Sequence, residues 1–234
     1  MVSGQNFDIQ KLSQTLVDVW RLLTPDEQQL LVDTTEWERI PKQAAFYHEG
    51  QTPRCLFCLE KGNVKICKTG VGGRQQIVRI VTPHQFFGYR ASFIGEDYVT
   101  DAIAMEDSVA LRIPLSTART IIVANRAISI FFLQQMATYL GLATQHTVNL
   151  TQKHIRGRLA EALFRLKNTF GVADDGQTLA ISASREELAN LSNMTTSNAI
   201  RTLRAFAEEG LVRIDGRKIT ILDEQRLHTI ADNG

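Results

Sequence analysis

Residues 192–211, SNMTTSNAIRTLRAFAEEGL, place Thr195, Thr196, Ser197 and Asn198 in succession, ahead of Arg201 and Arg204. Hydroxyl and amide side chains are mediocre helix formers and good caps. One at a helix start is ordinary. Four in a row, followed by two arginines, describe a helix whose N-terminal face is built to meet something polar. Other reactive types are sparse. Cys55 and Cys58 have the two-residue spacing of metal motifs, with Cys67 further on. They fall in strand-like runs, where residues three apart point to opposite faces, which favours buried structural thiols. His48, His84 and Met105 raise haem ligation, but both histidines sit beside turns without a supporting motif.

The elements around the polar cluster say how it is presented. Ser184 with Glu187 three residues on forms a capping box, and Leu188 and Leu191 face inward from that helix. Asn193 stands where a tight turn needs a left-handed residue. A second helix starts at about Thr195 and buries Ala199, Leu203 and Phe206. After Gly210, LVRIDGRKITIL reads as a hairpin about Asp215-Gly216, with Arg217 and Lys218 at its tip. Helix, turn, helix and hairpin make a winged helix-turn-helix. Its second helix enters the DNA major groove N-terminus first, and that end also suits phosphate. Arg201 then suits a guanine edge and Asn198 an adenine edge, while Thr196 and Ser197 reach base or phosphate. Arg204, Arg217 and Lys218 suit the DNA backbone. Arg204 pairs equally well with Glu208 on its own helix.

Ahead of this module the texture changes twice. The segment up to about Glu38 has helical spacing, and TPDEQQLL carries Pro25 at a first helical position. From Ile40 to Pro114, glycines punctuate short β-prone runs: CLFCLE, NVKICK, QQIVRIV and SVALRI, with a hairpin tip at Lys68–Gln76. Such spacing argues for a β-roll or barrel. From Arg126 to Asn149, Ile130, Leu133, Ala137, Leu140, Thr144 and Thr147 recur in steps of three and four, a coiled-coil seam. Phe132, Met136, Tyr139 and Ala143 form a second stripe. A helix with two apolar faces wants two partners, its own roll and a second copy of itself.

Formal charge is +1, with 14 basic and 14 acidic residues over 1–151 and 12 against 11 over 152–234. Nucleic-acid binding must therefore come from local arrangement. No signal-peptide core is expected, and no stretch is expected to approach a membrane span. Three cysteines fit a reducing compartment. The expectation is a cytoplasmic protein without a membrane partner. The histidines and carboxylates of the β region offer no metal-enzyme cluster, and no nucleophile–base motif is present, so an enzyme is not expected.

In order and spacing, EKGNVKI (residues 60–66), FFG (86–88), LQQMATYL (133–140), RGRLAEALFRL (156–166) and SREELANLSNMTTSNAIRTL (184–203) resemble the Crp/Fnr family of bacterial transcription regulators over nearly the full chain. The resemblance implies an α+β architecture in three parts. These are an N-terminal β-roll, a double-stranded β-helix like the cyclic-nucleotide-binding domain, over 1–125; a long dimerisation helix over 126–151; and a C-terminal winged helix-turn-helix over 152–234. It implies a homodimer on double-stranded DNA with a palindromic operator, RNA polymerase as a partner, and a hinge near Thr151–His154. Thr195 takes the family's phosphate-contacting hydroxyl position, and Arg201 retains a base-reading arginine. Thr196 and Ser197 stand where arginine and glutamate are common.

Nucleotide-binding members of the family carry a glutamate after the Phe-Gly step, then an arginine and a small hydroxyl residue that grip the cyclic phosphate. Here Tyr89 follows Gly88, and Tyr98 and Val99, or Val99 and Thr100, occupy the gripping positions. The threonine–serine pair of the long helix becomes Ala143 and Thr144. Burying a phosphate without a cation is unfavourable, so cyclic AMP is not expected as effector. Gly88, Tyr89, Arg90, Tyr98, Val99 and Thr144 remain as a candidate effector pocket. Arg90 is a possible substitute cation that otherwise pairs with Glu96 or Asp97, and Tyr89 and Tyr98 fill or line the vacated space. The N-terminal cysteine cluster of iron–sulfur members is missing, since residues 1–54 hold no cysteine. A haem- or redox-responsive member of the family and a winged-helix protein-interaction module stand as the alternatives.

Overall fold

Side chains alternate across a strand, so each strand of the first half has two jobs. In the computed structural model, which describes residues 9–233, eight strands form two four-stranded sheets. They are β1 (Glu36–Ile40), β2 (Ala45–Tyr47), β3 (Cys55–Lys61), β4 (Val64–Thr69), β5 (Gln75–Val81), β6 (Phe86–Phe87), β7 (Asp101–Ala104) and β8 (Ser108–Pro114). The sheet orders are β1-β8-β3-β6 and β2-β7-β4-β5. Along β3, Cys55, Phe57 and Leu59 point into the roll with Phe87, Val64 and Tyr98. Leu56 and Cys58 point the other way, with Phe86, Leu111 and Ile113. That outer face packs under α1 (Ile9–Thr15), α2 (Val17–Trp20), α3 (Pro25–Thr34), α5 (Leu115–Ala124) and the first half of α6 (Arg126–Gln152). The short α4 (Tyr89–Ile94) follows β6 directly.

The helical spacing expected up to Glu38 ends earlier. Thr35 turns extended, with φ −93° and ψ 155°, and Glu36 already pairs with Arg112 of β8. Pairing with a strand far along the chain overrides the local pattern.

Gly62, between β3 and β4, has φ +89°, and a Cβ there would lie 2.9 Å from the Ser108 Cα. Gly62→Ala is expected to destabilise the roll by about 3 kcal/mol, from left-handed strain plus overpacking. Denaturant unfolding measures it.

The described residues fall into two compact units, 9–69 with 78–139 and 70–77 with 140–233. The division lies inside α6, between Tyr139 and Leu140, rather than at the helix ends. The second unit adds α7 (Ile155–Phe170), α8 (Arg185–Leu191), α9 (Thr196–Glu208), β9 (Val212–Asp215), β10 (Lys218–Ile221) and α10 (Glu224–Asn233). Its core is Leu159, Leu163, Leu166, Leu188, Leu203 and Phe206, each at most 1% exposed. The end of α6 is tied to α7 by Asn149 and Lys153, each donating to Glu161 at 2.7 Å, and by Arg158, which donates to the Leu150 carbonyl at 3.2 Å. The wing pairs Asp215 with Lys218, so its turn is Gly216-Arg217, one residue later than expected. Gly216 takes the left-handed φ of +56° that such a turn needs.

Candidate nucleic-acid interface and sensor core

Leu203 and Phe206 set the orientation of α9. With Ala199 and Thr202 they form its buried stripe. Arg156 on α7 holds the helix end from behind. Its guanidinium pairs bidentately with Glu209 at 2.8 and 2.7 Å and lies 4.9 Å from the Phe206 ring centroid. A helix anchored along one stripe presents the opposite one, and that stripe carries Ser197, Arg201 and Arg204, all exposed. The capping box of α8 forms as expected, with Ser184 and Glu187 bonding reciprocally. Asn193 takes the left-handed turn at φ +49°.

Capping of α9 falls to Thr195 alone, whose hydroxyl accepts from the Asn198 amide at 3.2 Å. Thr196 and Ser197 are exposed and make no side-chain hydrogen bond among the described residues. Their hydroxyls sit at the helix N-terminus, where unpaired amides and the dipole favour an anion. Arg201 donates through Nη2 to Asn198 Oδ1 at 2.6 Å. That bond takes one of the two lone pairs of Asn198 Oδ1 and leaves its Nδ2 free to donate. The pair therefore offers mainly donors, matching the O6 and N7 acceptors of guanine. No ion pair joins Arg204 to Glu208.

Lys218 and Arg217 are exposed at the wing tip. Arg185, the first residue of α8, donates through Nη2 to the Gly216 carbonyl at 2.7 Å and so fixes the wing turn to the helix-turn-helix. Sequence reasoning missed this residue, because only the tertiary fold brings it to the wing.

The long-helix seam is open in the single chain. Ile130, Leu133, Ala137, Leu140, Thr144 and Thr147 are all exposed, Leu133 by 64% and Leu140 by 70%. Of the second stripe, Phe132 is buried, Met136 and Tyr139 pack against the outer face of the roll, and Ala143 is exposed. The expectation that no stretch approaches a membrane span needs correction. By length and composition α6 is apolar enough to cross one. The cause is its two apolar faces, and one of them is already covered by the roll.

The six residues expected to line an effector pocket are not brought together. Inside the roll the Tyr98 ring stacks on Tyr47 at 3.7 Å, and its hydroxyl donates to the Cys55 carbonyl at 3.2 Å. A Cβ on Gly88, whose φ is +80°, would sit 3.2 Å from the Phe57 ring and 3.4 Å from the Tyr98 hydroxyl. Aromatic rings fill this space, and burial pushes the Tyr47 phenol up to about 12 and raises Tyr98 as well. Tyr89 faces the opposite way, with ring centroids 5.3 Å from Phe132 and 5.9 Å from Phe93. Arg90 and Val99 are exposed. Arg90 pairs with neither Glu96 nor Asp97, and Asp97 accepts from the Thr52 hydroxyl instead. Thr144 is exposed in the other unit, its hydroxyl returned to the Leu140 carbonyl. The reason is strand alternation: Phe87 faces the roll interior, while Phe86 and Tyr89 face the helices.

Arg79 on β5 is a second residue that sequence reasoning missed. Its guanidinium lies 3.8 Å from the Tyr139 ring centroid and donates to the Phe86 carbonyl at 3.0 Å. Burial lowers its pKa, and the groups opposing that shift are tyrosines. A cation–π contact is worth about 0.5–2 kcal/mol, less than the several kcal/mol that desolvating an ion costs.

Cys55 and Cys58 lie on opposite faces of β3. Cys55 Sγ is 3.4 Å from the Arg112 Nε donor, Cys58 Sγ is 3.5 Å from the Thr15 carbonyl, and all three thiols are buried. His48 is bound to Asp101 at 3.2 Å and His84 lies 3.3 Å from the Thr15 carbonyl, two separate places.

A sensor-type β-roll, a long helix and a winged helix-turn-helix define a class of transcription regulator. Residues 37–125 match the cyclic nucleotide-binding domain family, and residues 157–230 match the Crp-like helix-turn-helix domain family. The chain belongs to the Crp/Fnr family of DNA-binding transcription regulators. It is 25% identical over 189 residues to the CRP-like cAMP-activated global transcriptional regulator of Mycobacterium tuberculosis, covering 80% of this chain and 84% of that one. It is also 25% identical over 196 residues to the anaerobic regulatory protein of Bacillus subtilis, covering 83% and 82%. In fold it is similar to FixK2 from Bradyrhizobium japonicum, with a TM-score of 0.75 at 22% identity over 84% of this chain and 97% of that one.

Proposed function

We propose that this regulator is a homodimer that binds a palindromic operator through α9 and reaches its active form without cyclic AMP. The observation that carries the reading is the stripe of Ser197, Arg201 and Arg204, exposed opposite an anchored core stripe and headed by the capped helix N-terminus. Thr195, Thr196 and Ser197 serve the phosphates and adjacent bases, Arg201 with Asn198 reads a guanine, and Arg204, Arg217 and Lys218 follow the backbone. Leu133, Leu140 and their neighbours form the dimer seam, which sets half-sites about 34 Å apart. Against cyclic AMP stands Tyr98, packed on Tyr47 at one of the positions where the family's phosphate grip falls. The setting is the cytoplasm, with RNA polymerase as partner.

Selection from a random DNA pool tests this. A palindrome enriched without ligand, and unchanged by cyclic AMP, is the expected result. Enrichment that requires cyclic AMP overturns the effector reading, and an enriched single half-site overturns the dimer. Operator affinity is further expected to fall by about 10³–10⁵ between 50 and 200 mM salt, as for six to ten phosphate contacts. A flat salt dependence in a binding titration contradicts the assignment of the wing and helix cations.

A further inference from the structure

Residues 70–77, the outer end of the β4–β5 hairpin, belong to the compact unit that holds α7 and the helix-turn-helix. A polar contact joins them to it. His146, half-buried on α6, has its Nε2 3.4 Å from the Gln76 Nε2. An amide NH2 only donates, so this contact is a hydrogen bond only while the imidazole is neutral and its Nε2 carries no proton. The same NH2 lies 3.5 Å from the Ile77 carbonyl, and Gln76 Oε1 is buried without a partner among the described residues. From α7, Arg165 and Glu161 face the imidazole. Glu161 is the carboxylate placed to balance a charge there, but it already accepts from Asn149 and from Lys153, just past the end of α6. Burial holds the His146 pKa below its ordinary value of 6.5, Arg165 pushes it the same way, and Glu161 opposes them.

We infer that His146 is a proton-released latch: neutral, it holds the outer end of the β4–β5 hairpin against the corner of α6 and α7, and protonated, it lets the hairpin go. A proton on the imidazole brings a second cation beside Arg165 and sets an N–H against the N–H groups of Gln76. The direction follows from linkage. A group whose pKa is depressed in the folded state contributes stability that is complete above the unfolded value, here 6.5, and lost as the pH falls through the folded one. The latch is closed at neutral pH and opens in acid. None of its residues belongs to the exposed stripe of α9, so the inference does not rest on how that helix reads an operator.

Hydrogen exchange of the full chain tests the latch. Wild type and His146→Gln are compared at about pH 7.5 and about pH 5.5, either side of the ordinary histidine value, with rates corrected for intrinsic chemistry. The glutamine keeps a neutral polar side chain and cannot take the proton. His48, His84, His154 and His228 titrate in both proteins, so the difference isolates His146. Protection of residues 70–77 should fall in acid for wild type and hold for the variant, while the buried strand β3 stays protected in both. A nuclear magnetic resonance titration of ring-labelled histidine should place the His146 midpoint below 6.5, its signal identified by its absence from the variant. Equal losses in the two proteins, or no loss in either, overturn the latch. A midpoint at or above 6.5 also overturns it, since it would show the Gln76 carbonyl turned to a stabilised imidazolium. If His146→Gln does not fold, wild type decides alone: an acid loss confined to residues 70–77 supports the latch, and a loss shared by β3, or none, overturns it. No DNA enters the measurement, so its failure leaves the DNA-binding reading intact.

Discussion

Arg201→Ala is expected to lower operator affinity by about 30-fold to 10⁴-fold. A bidentate arginine–guanine contact is worth about 1–3 kcal/mol of discrimination, a dimer makes it twice, and each 1.4 kcal/mol is tenfold. The fold should be indifferent. Arg201 is exposed and, among the described residues, bonds only to Asn198, one turn back on its own helix, and surface changes of this kind stay within about 0.5 kcal/mol. Non-specific affinity should change little, because the phosphate-directed groups remain. Arg201→Lys separates charge from geometry: it keeps the cation, loses the planar fork, and should recover little of the specificity. Asn198→Ala asks whether the 2.6 Å bond holds the arginine ready. If it does, the double variant loses less than the two single losses combined, which a double-mutant cycle measures. Unchanged operator affinity in Arg201→Ala, with melting temperature intact, would show that α9 is not the reading element.

The parts of this molecule legible in its sequence are those decided by local periodicity. Strands at residues 55–60 and 108–113, the capping box at Ser184 and Glu187, the left-handed turn at Asn193 and the exposed stripe of α9 follow from short-range rules. The same alternation put Cys55 and Cys58 on opposite faces of β3. What escaped was decided at long range. Strand β1 begins at Glu36 because Arg112 waits across the sheet. Arg185 reaches the Gly216 carbonyl from a separate element. Tyr89 and Tyr98 looked equivalent as candidates for a vacated nucleotide site, yet one turns to the helices and the other to the interior. Arg79 was invisible for the same reason: a strand position announces its face only once its neighbours are known, and the partner it stacks on, Tyr139, lies far along the chain. The sensor half therefore hid more than the DNA-binding half, whose functional residues sit close together in sequence.

Leu133→Glu combined with Leu140→Glu should convert the protein to a monomer. Both side chains are more than half exposed in the single chain, so the substitutions remove little intrachain packing and the melting of an isolated protomer should barely move. In a two-fold seam each position meets its own copy or a near neighbour. Four leucines then leave the interface, and four carboxylates of like sign must be desolvated beside one another. Losing the leucines alone costs about 2 kcal/mol per side chain, so the dimer constant should weaken by 10⁴-fold or more, about 6 kcal/mol. Sedimentation velocity reads this directly. Operator binding should fall with it, because linking two half-site readers raises affinity by about 10²–10⁴. Thr144→Leu with Thr147→Leu provides the opposite sign. These threonines bond back to the carbonyls of Leu140 and Ala143 at 2.9 Å and leave the seam polar toward its end. Leucines there should extend the apolar stripe, tighten the dimer and raise operator affinity. If the paired glutamates leave a dimer of wild-type strength, the exposed stripe is not the seam. If instead the wild type sediments with lipid vesicles and the glutamate variant does not, the apolar face of α6 serves a membrane.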